Sequence, residues 1–349
     1  MFHPTSSSSA AAASQKKSKV QLQGLGATQE VMDSWVNATL KTAQSLDPAS
    51  YLPDLYWKHK TRPDGRIFSQ ARPTSVAVSV LQKNAIGSAI VTMKSSPVVM
   101  DGADESSDDI NTNATQSTLV LAGVTADVGQ PSSRAGDLRV TLVPSNPALE
   151  SWLQRLLVAC LDLDQLGIVP GKAAFGLDVT VAILNFDGNL RDSCLLAAVA
   201  ALTDTMLPAI VVHDGRVFTL PDNDSVRKVP QSLKSFPSKK LVLGRIPISL
   251  SMGSIHISCK MDSDDNISDG EMDCTIERKH YWLVDPAKEE ESVCEGGISV
   301  VVNGLNPEQI LSLDYTGRVS TTSTDVALAL RMAQGRVEEF LPLLTPSTS

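Results

Sequence analysis

The sequence has few aromatic residues, no long apolar run and no closely spaced cysteines. Aromatic side chains make up 4% of the 349 residues, which is too few for a broad base-stacking surface. No apolar run approaches the roughly 18 residues of a membrane-spanning helix, and we expect no membrane partner. The five cysteines include no C-x-x-C pair and the five histidines are dispersed, which favours a reducing compartment and argues against a zinc site. We therefore expect no metal ion and no cofactor.

The net charge of −9 is concentrated in two stretches of the chain. Residues 101–110 hold five acidic residues and no basic one, and residues 261–277 hold seven acidic residues and no basic one. The rest of the chain has 27 acidic residues and 30 lysines and arginines, so it carries a small positive charge. Polar stretches that are poor in aromatic residues need not fold. We expect solvated acidic loops at about 101–116 and 261–277.

Residues 1–26 are rich in serine and alanine. They lack both the apolar core of a secretory signal and the arginines of a mitochondrial presequence. We expect this segment to be a disordered tail and residues 27–349 to form a single domain. The spacing of Val31 and Trp35 predicts a first helix that ends before Pro48.

The pattern that follows mixes strands and helices without strict alternation. Apolar runs predict strands at 75–80, 88–93, 118–125, 138–143, 173–184, 209–212, 241–249, 255–260, 280–284 and 298–302. Helical spacing predicts helices over 147–166, 195–206 and 326–344. The proline- and lysine-containing stretch at about 215–240 predicts a surface loop. This mixture favours an α+β fold with mixed sheets over a doubly wound parallel sheet.

A turn motif precedes the first predicted strand. It reads Arg62-Pro63-Asp64-Gly65-Arg66, and Arg72 follows it closely. Proline presets the turn backbone, while aspartate and glycine complete it. Such turns are common, but this one lies directly before the predicted sheet. Arg62, Asp64, Gly65 and Arg66 are therefore candidates for a structural motif.

A second turn joins the predicted strand 173–184 to the predicted helix 195–206. It reads Asp187-Gly188-Asn189-Leu190-Arg191-Asp192-Ser193. A helix N-terminus presents unpaired backbone N–H groups and a partial positive charge, which together can hold a phosphate. An aspartate or asparagine at this place also serves simply as a helix cap. The residues alone leave both interpretations open.

These motifs resemble those of RNase PH-type domains. The R-P-D-G-R turn, the D-G-N turn at 187–189 and the run Leu283-Val284-Asp285-Pro286 leading into Glu289-Glu290-Glu291 occur in family order. The resemblance spans about residues 28–345 and is greatest to the RNase PH-like ring subunits of the eukaryotic RNA exosome. It implies an RNase PH-like domain of the ribosomal protein S5 domain 2-like type, with mixed sheets and packed helices. In that family, D-G-N and V-D-P-x-x-E-E-E mark ring members that do not degrade RNA.

Active members of the family use the second turn for phosphorolysis, which needs a held phosphate, a positioned acid and neutralising cations. They place Gly-Thr-Arg at the helix start, where the threonine hydroxyl and the arginine fork bind phosphate. The resemblance puts Asn189, Leu190 and Arg191 at these three positions. Leu190 donates no hydrogen bond, and Asp192 adds a negative charge that repels phosphate. The resemblance therefore implies a degenerate phosphate site at Asn189, Leu190, Arg191 and Asp192, with no catalytic residue.

The run of three glutamates is less decisive. Active members place a catalytic aspartate about where Glu290 or Glu291 falls. A glutamate is one methylene longer, and a displacement near 1 Å can lower a rate about a hundredfold. Without the family comparison, the run is interpreted as a solvated first helical turn that the helix dipole favours.

Two further arginines are candidates for RNA contact. Arg134 and Arg139 flank a short turn. Active relatives have a basic segment in this region of the chain, and it lines the RNA path. Arginines bind phosphate without sequence preference, so Arg134, Arg139 and Arg191 are candidate RNA-binding residues. No aromatic residues cluster near Arg134 and Arg139, and both also fit ordinary surface or interface positions.

The resemblance implies a catalytically silent subunit of the exosome core. Its expected partners are other RNase PH-like subunits in a hetero-hexameric ring, S1/KH cap subunits, a separate 3′→5′ exonuclease and RNA passing through the central channel. The expected roles are RNA degradation and ribosomal RNA processing in the nucleus, nucleolus and cytoplasm. Two alternatives stay open. One is an active phosphate-dependent 3′→5′ exoribonuclease that relies on Arg191 and the glutamates, and the other is a free-standing RNA-binding protein.

Overall fold

The computed structural model of the protein describes residues 47–95, 117–129, 136–213, 216–220, 230, 233–260, 276–318 and 320–344. Contacts divide the chain into residues 1–51 and 52–349, and the account below concerns the second unit. No helix in the described part of the chain is long and apolar enough to cross a membrane.

Helices and strands follow each other in a mixed order, which confirms the predicted α+β fold. The helices are α1 (Pro48–His59), α2 (Pro147–Cys160), α3 (Leu190–Asp204), α4 (Lys288–Val293) and α5 (Ser323–Leu344). The strands are β1 (Thr74–Val78), β2 (Gly87–Lys94), β3 (Ser117–Gly129), β4 (Asp137–Val143), β5 (Gly167–Val169), β6 (Ala173–Asn185), β7 (Met206–Leu207), β8 (Ile210–His213), β9 (Arg216–Thr219), β10 (Lys234–Phe236), β11 (Lys239–Lys240), β12 (Pro247–Lys260), β13 (Ile276–Val284), β14 (Gly296–Asn303) and β15 (Asn306–Gly317). Short 3-10 helices lie at Gln82–Asn84 and Leu163–Leu166.

Two main sheets carry most of the strands. The first has the order β1-β2-β3-β6-β4, with β5 also paired to β6. Its pairs are antiparallel except for β4 and β6, which run parallel. The second sheet is antiparallel, with the order β13-β12-β14-β15. The described residues also form the small sheets β10-β8-β9 and β11-β7.

Helix α3 is apolar on nearly every side because it packs against both main sheets. Its residues from Asp192 to Leu202 are buried, and it contacts β2 and β3 of the first sheet and β12 of the second. Such a helix is expected in a protein interior. Its packing on β2 is close, since a Cβ added to Gly87 would lie 2.5 Å from the carbonyl oxygen of Ala201. This close contact holds the C-terminal end of α3 against β2.

Several elements differ from the sequence-based prediction. The helix predicted over 147–166 ends at Cys160, and α1 was not predicted. Helix α3 begins at Leu190 rather than at residue 195, because the Asn189 side chain caps it by accepting the backbone N–H of Asp192 at 3.4 Å. Strand β12 is continuous, although two strands were predicted at 241–249 and 255–260. Its middle stays extended because Met252 to Ser254 pair with β13 and β14 at the same time.

Some strands of the structure were not predicted, and some predicted segments cannot be compared with the structure. Strand β15 was not predicted, and β9, β10 and β11 lie within the stretch predicted as a loop at 215–240. The predicted tail, the helix from Val31, the acidic loop at 101–116 and most of that at 261–277 fall outside the described residues. Residues 276–277 of the second loop are the first two residues of β13. The single domain over 27–349 stays a prediction.

Candidate functional site

Buried arginines and carboxylates converge where the R-P-D-G-R turn meets the end of β13 and the N-termini of α3 and α4. We call this set the arginine–carboxylate cluster; its members are Arg62, Arg66, Arg72, Asp64, Asp187, Asp285 and Glu290. All three arginines are at most 3% exposed. Buried charges are tolerated in a protein when they are paired and hydrogen-bonded, and the contacts below provide both for Arg62 and Arg72.

Arg62 forms a two-pronged ion pair with Glu290. Its Nε donates to Glu290 Oε1 at 2.8 Å, and its Nη2 donates to Glu290 Oε2. Arg62 also donates to three backbone carbonyl oxygens, those of Gln70 (3.0 Å), Val284 (2.6 Å) and Asp285 (2.9 Å). The R-P-D-G-R turn is thereby tied to the end of β13 and to α4.

Glu290 is 1% exposed, so the expectation that all three glutamates are solvated is wrong for this residue. Its carboxylate also accepts the hydroxyl of Tyr56 at 2.9 Å and the backbone N–H of Ala287 at 2.8 Å. Burial acts to raise the pKa of Glu290, but the charge and hydrogen bonds of Arg62 outweigh it, and the pKa lies below its ordinary value. Glu290 therefore stays ionised inside the protein.

Asp285 holds Arg72 on the other side of the cluster. Its Oδ2 accepts the backbone N–H of Arg72 at 2.8 Å and Arg72 Nε at 2.9 Å, while its Oδ1 accepts Arg72 Nη2 at 2.8 Å. Arg72 also donates to the carbonyl oxygens of Asp187 and Gly188. Although burial acts to raise the pKa of Asp285, its bonds to Arg72 hold the pKa below the ordinary value. The cluster thus fixes the D-G-N turn as well as the R-P-D-G-R turn.

The backbone N–H of the residue that caps α3 is bound by a carboxylate of the protein itself. Asn189 has a left-handed backbone, with φ of 54°, and its backbone N–H donates to Glu291 Oε1 at 2.7 Å. Glu291 is an exposed residue, but partial desolvation of its carboxyl group raises its pKa, and the hydrogen bond from Asn189 opposes that rise. An N–H that could face a phosphate is therefore already paired with an anion.

The side chain of Asn189 is equally engaged. Its Nδ2 donates to Asp285 Oδ1 at 2.7 Å and to Asp192 Oδ2 at 2.9 Å. Asp192 is buried and also accepts the backbone N–H and the hydroxyl of Ser251, both at 2.8 Å. The sequence suggested that Asp192 would simply repel an incoming phosphate. In the structure its carboxylate instead fastens α3 to β12.

Arg191 is held against the protein by two neighbours. Its guanidinium carbon lies 4.3 Å from the centre of the Trp152 ring, and its Nη2 donates to Asp314 Oδ2 at 3.2 Å. The same oxygen accepts Trp152 Nε1 at 3.0 Å. A quarter of the Arg191 side chain is exposed. Trp152 and Asp314 were not singled out from the sequence, because nothing local links them to the turn.

An open cleft of about 230 Å³ lies beside these residues, lined by Arg191, Glu291, Ser251, Ser299 and Thr316 among others. Leu190 contributes no hydrogen-bond donor from its side chain. In the described residues no group of three or more His, Cys, Asp or Glu side chains could hold a metal ion. The cleft therefore offers one partly engaged cation and an opposing carboxylate to a phosphate.

Arg139 lies apart from this site. It projects from β4 with 71% of its side chain exposed, and its nearest carboxylate is Asp178 at 3.6 Å. It lines a different cleft, of about 300 Å³, together with Asp127 and Asp137. Arg134 falls outside the described residues. RNA contact by Arg134, Arg139 and Arg191 stays a prediction.

The pKa directions in the cluster predict a fold that acid weakens. Asp285 and Glu290 have lowered pKa values, so they stabilise the folded state wherever the unfolded chain is ionised, above about pH 4. Below that range the unfolded chain takes up protons that the folded chain does not, and this stabilisation is lost. Asp187 and Glu291 have raised pKa values and act in the opposite direction, favouring the folded state as the pH first falls from 7.

We therefore expect the free energy of unfolding to decline steeply below about pH 4. Urea unfolding of the full-length chain at a series of pH values, followed by circular dichroism, measures this decline. The double variant Arg62→Met/Glu290→Met has one such carboxylate fewer and should show a shallower decline. Equal slopes for the two proteins would contradict the assignment to Glu290.

Comparisons with known proteins agree with the fold. Residues 70–208 match the family model of the 3′ exoribonuclease family, domain 1, also called RNase PH. Exosome complex component Rrp42 of Methanothermobacter thermautotrophicus is 25% identical over 311 residues, which are 83% of this chain and 91% of that protein. Rrp42 of Saccharolobus solfataricus is 25% identical over 288 residues, or 80% of this chain and 87% of that protein.

Two solved structures have the same fold. A chain of the Archaeoglobus fulgidus exosome with RNA bound to the active site superposes with a TM-score of 0.56 at 19% identity, covering 88% of this chain and all of that one. A chain of an archaeal exosome core superposes with a TM-score of 0.54 at 20% identity, covering 84% of this chain and 99% of that one. These matches confirm the RNase PH fold.

Proposed function

We propose that this chain, which contains an RNase PH-family domain and is homologous to archaeal exosome component Rrp42, is a ring subunit of an RNA exosome core that does not cleave RNA itself. Its partners would be other RNase PH-like subunits in a hetero-hexameric ring and S1/KH cap subunits. RNA would pass through the ring to a separate 3′→5′ exonuclease. The contribution of this chain would be architectural.

One observation is the main support for the proposal that the chain does not cleave RNA. The Asn189 N–H at the start of α3 donates to Glu291 Oε1 at 2.7 Å, so this N–H is not available to a phosphate oxygen while Glu291 stays in place. Leu190 adds no donor at the position where active family members have a hydroxyl. A phosphate would have to displace Glu291 and then sit beside its charge, which the Coulomb repulsion opposes.

The surrounding cations support the same proposal. Phosphorolysis needs positive charge directed at the reacting phosphates. Arg62 and Arg72 are instead directed at Glu290 and Asp285, and Arg191 is shared with Asp314 and Trp152. The positive charge near the turn is thus used in ion pairs that stabilise the fold.

The edge of the second sheet supports a role in assembly. Strand β15 is an edge strand that carries exposed Ile310 and Tyr315, and Leu305 precedes it at the connecting turn. An exposed, partly apolar sheet edge is a common place for pairing with another chain. It fits a subunit whose work is to complete a ring.

The proposal extends to the type of ring subunit. The D-G-N turn at 187–189 and the V-D-P-x-x-E-E-E run at 284–291 resemble those of non-degrading members of the eukaryotic ring, and most of all ribosomal RNA-processing protein 43. We therefore propose a role in ribosomal RNA maturation and RNA turnover, in the nucleus, nucleolus and cytoplasm.

An assay for phosphate-dependent RNA shortening tests the catalytic part. A 5′-labelled single-stranded RNA is incubated with the purified full-length chain, with and without inorganic phosphate. We expect neither shortened RNA nor nucleoside diphosphate in either case. Product that requires phosphate and disappears in Arg191→Ala would establish the active exoribonuclease instead.

The assembly part needs a separate measurement. Co-purification of the tagged chain from its native cells should recover other RNase PH-type proteins in a complex large enough for a ring. Recovery of RNA without any such protein would favour the free-standing RNA-binding alternative.

A further inference from the structure

Residues 206–246 form a basic segment of the chain. They contain seven lysines and arginines and three aspartates, whereas the whole chain has a net charge of −9. In the described part of this segment the cations are Arg216, Lys234, Lys239, Lys240 and Arg245, and there is no acidic residue. The first four form no ion pair with a described carboxylate. This local charge suits a polyanion.

The small sheet β10-β8-β9 places an exposed aromatic ring among these cations. In its register, Lys234 lies opposite Val212, and Phe236 lies opposite Ile210, which in turn lies opposite Thr219. Residues two apart on a strand point to the same face, so Lys234 and Phe236 share one face. Phe236 is 39% exposed.

Two more lysines lie close to this face along the chain. Lys239 and Lys240 follow Phe236 after two residues, form the exposed strand β11 and pair with β7 in a separate two-stranded sheet. Being adjacent on the strand, they point to opposite sides of it. We call Lys234 and Phe236, together with the neighbouring Lys239 and Lys240, the lysine–phenylalanine face. Phe218 is also exposed, but it lies opposite Val211 and therefore on the other face of the same sheet.

We propose that the lysine–phenylalanine face binds single-stranded RNA. Lysines contact the phosphates of any sequence, and an exposed aromatic ring between them provides a place for one base to stack. An acidic protein segment would use the lysines but would leave the exposed ring without a role. A duplex keeps its bases stacked on each other, so it does not offer a base to Phe236. The choice of RNA over DNA rests on the proposed function.

Binding of a fluorescein-labelled 12-nucleotide oligo(U) RNA to the full-length chain, measured by fluorescence anisotropy, tests this proposal. Phe236→Ala should weaken binding by about 5- to 150-fold, the range that loss of one stacked base produces. Phe218→Ala removes an exposed ring from the opposite face and is the matched control, with no expected change. Both side chains are exposed, so both variants should fold, which circular dichroism checks.

The salt dependence tests the lysines. For single strands, each phosphate contact contributes about 0.7 to the slope of log affinity against log salt. The triple variant Lys234→Ala/Lys239→Ala/Lys240→Ala should therefore lose about 2 from the slope. Lys172→Ala removes an exposed lysine elsewhere and should leave the slope unchanged.

Several outcomes would overturn the proposal. They are no binding by the unaltered chain, equal effects of Phe236→Ala and Phe218→Ala, an unchanged slope in the triple variant, and competition by poly-glutamate as strong as by unlabelled RNA. Binding of oligo(dT) as tight as that of oligo(U) would overturn the choice of RNA. Phosphorolysis by the chain would contradict the proposal that it does not cleave RNA, but it would not change these binding results. Failure of the proposed function and failure of the RNA-binding proposal are therefore distinguishable.

Discussion

Replacing Arg62 with alanine is expected to lower the free energy of unfolding by about 3–5 kcal/mol. The change leaves the carboxylate of Glu290, which is 1% exposed, without its paired cation. It also removes the donors to three backbone carbonyl oxygens, of which those of Val284 and Asp285 are in buried hydrogen bonds. An uncompensated buried charge costs far more than a lost surface ion pair. Urea unfolding of the full-length chain near pH 7 measures the loss.

Two further variants separate the ion pair from its surroundings. Arg139→Ala removes an arginine whose side chain is 71% exposed and pairs with Asp178, and its expected cost is below about 1 kcal/mol. Arg62→Met/Glu290→Met removes both buried charges at once and should be less destabilising than Arg62→Ala. If Arg62→Ala cost no more than Arg139→Ala, the cluster would not be a major source of stability.

Replacing Gly188 with alanine is expected to cost about 3 kcal/mol. Gly188 has φ of 86°, which an L side chain adopts at a cost of about 1–2 kcal/mol. Its new Cβ would also lie 2.5 Å from the carbonyl oxygen of Pro286 and 2.6 Å from the backbone nitrogen of Lys288. Both contacts are with backbone that the arginine–carboxylate cluster holds in place, so neither can move easily, and overpacking adds about 1–3 kcal/mol.

Gly171 provides the matched control for this substitution. It also has a left-handed backbone, with φ of 69°, but a Cβ there would meet nothing within 4 Å. Gly171→Ala should therefore carry only the conformational cost of about 1–2 kcal/mol. The difference between the two variants in urea unfolding isolates the close approach of the D-G-N turn to α4. Equal losses would mean that this approach has no energetic consequence.

The sequence predicts the α+β class and most strands because their signals are local. Apolar runs bounded by turn residues locate β2, β3, β4 and β6 to within a few residues. The continuity of β12 was missed because it depends on pairing with β13 and β14 on both sides. No pattern within 241–260 contains that information.

The sequence predicted the separate motifs of the site but not the contacts between them. The R-P-D-G-R turn, the D-G-N turn and the glutamate run were each recognised by their residue types. That Arg62 would reach Glu290, 228 residues away, depends on the packing of distant segments. The one available signal was Asp285, a charged residue directly after the apolar run that ends β13, because a carboxylate at such a place needs a buried partner.

The capping residue Asn189 limits which substitutions its turn can accept. Its side-chain amide supplies a donor to both Asp285 and Asp192. A change to glycine would leave two buried carboxylates each one hydrogen bond short. Such a change would therefore give a less stable protein unless Asp285 or Asp192 changed with it.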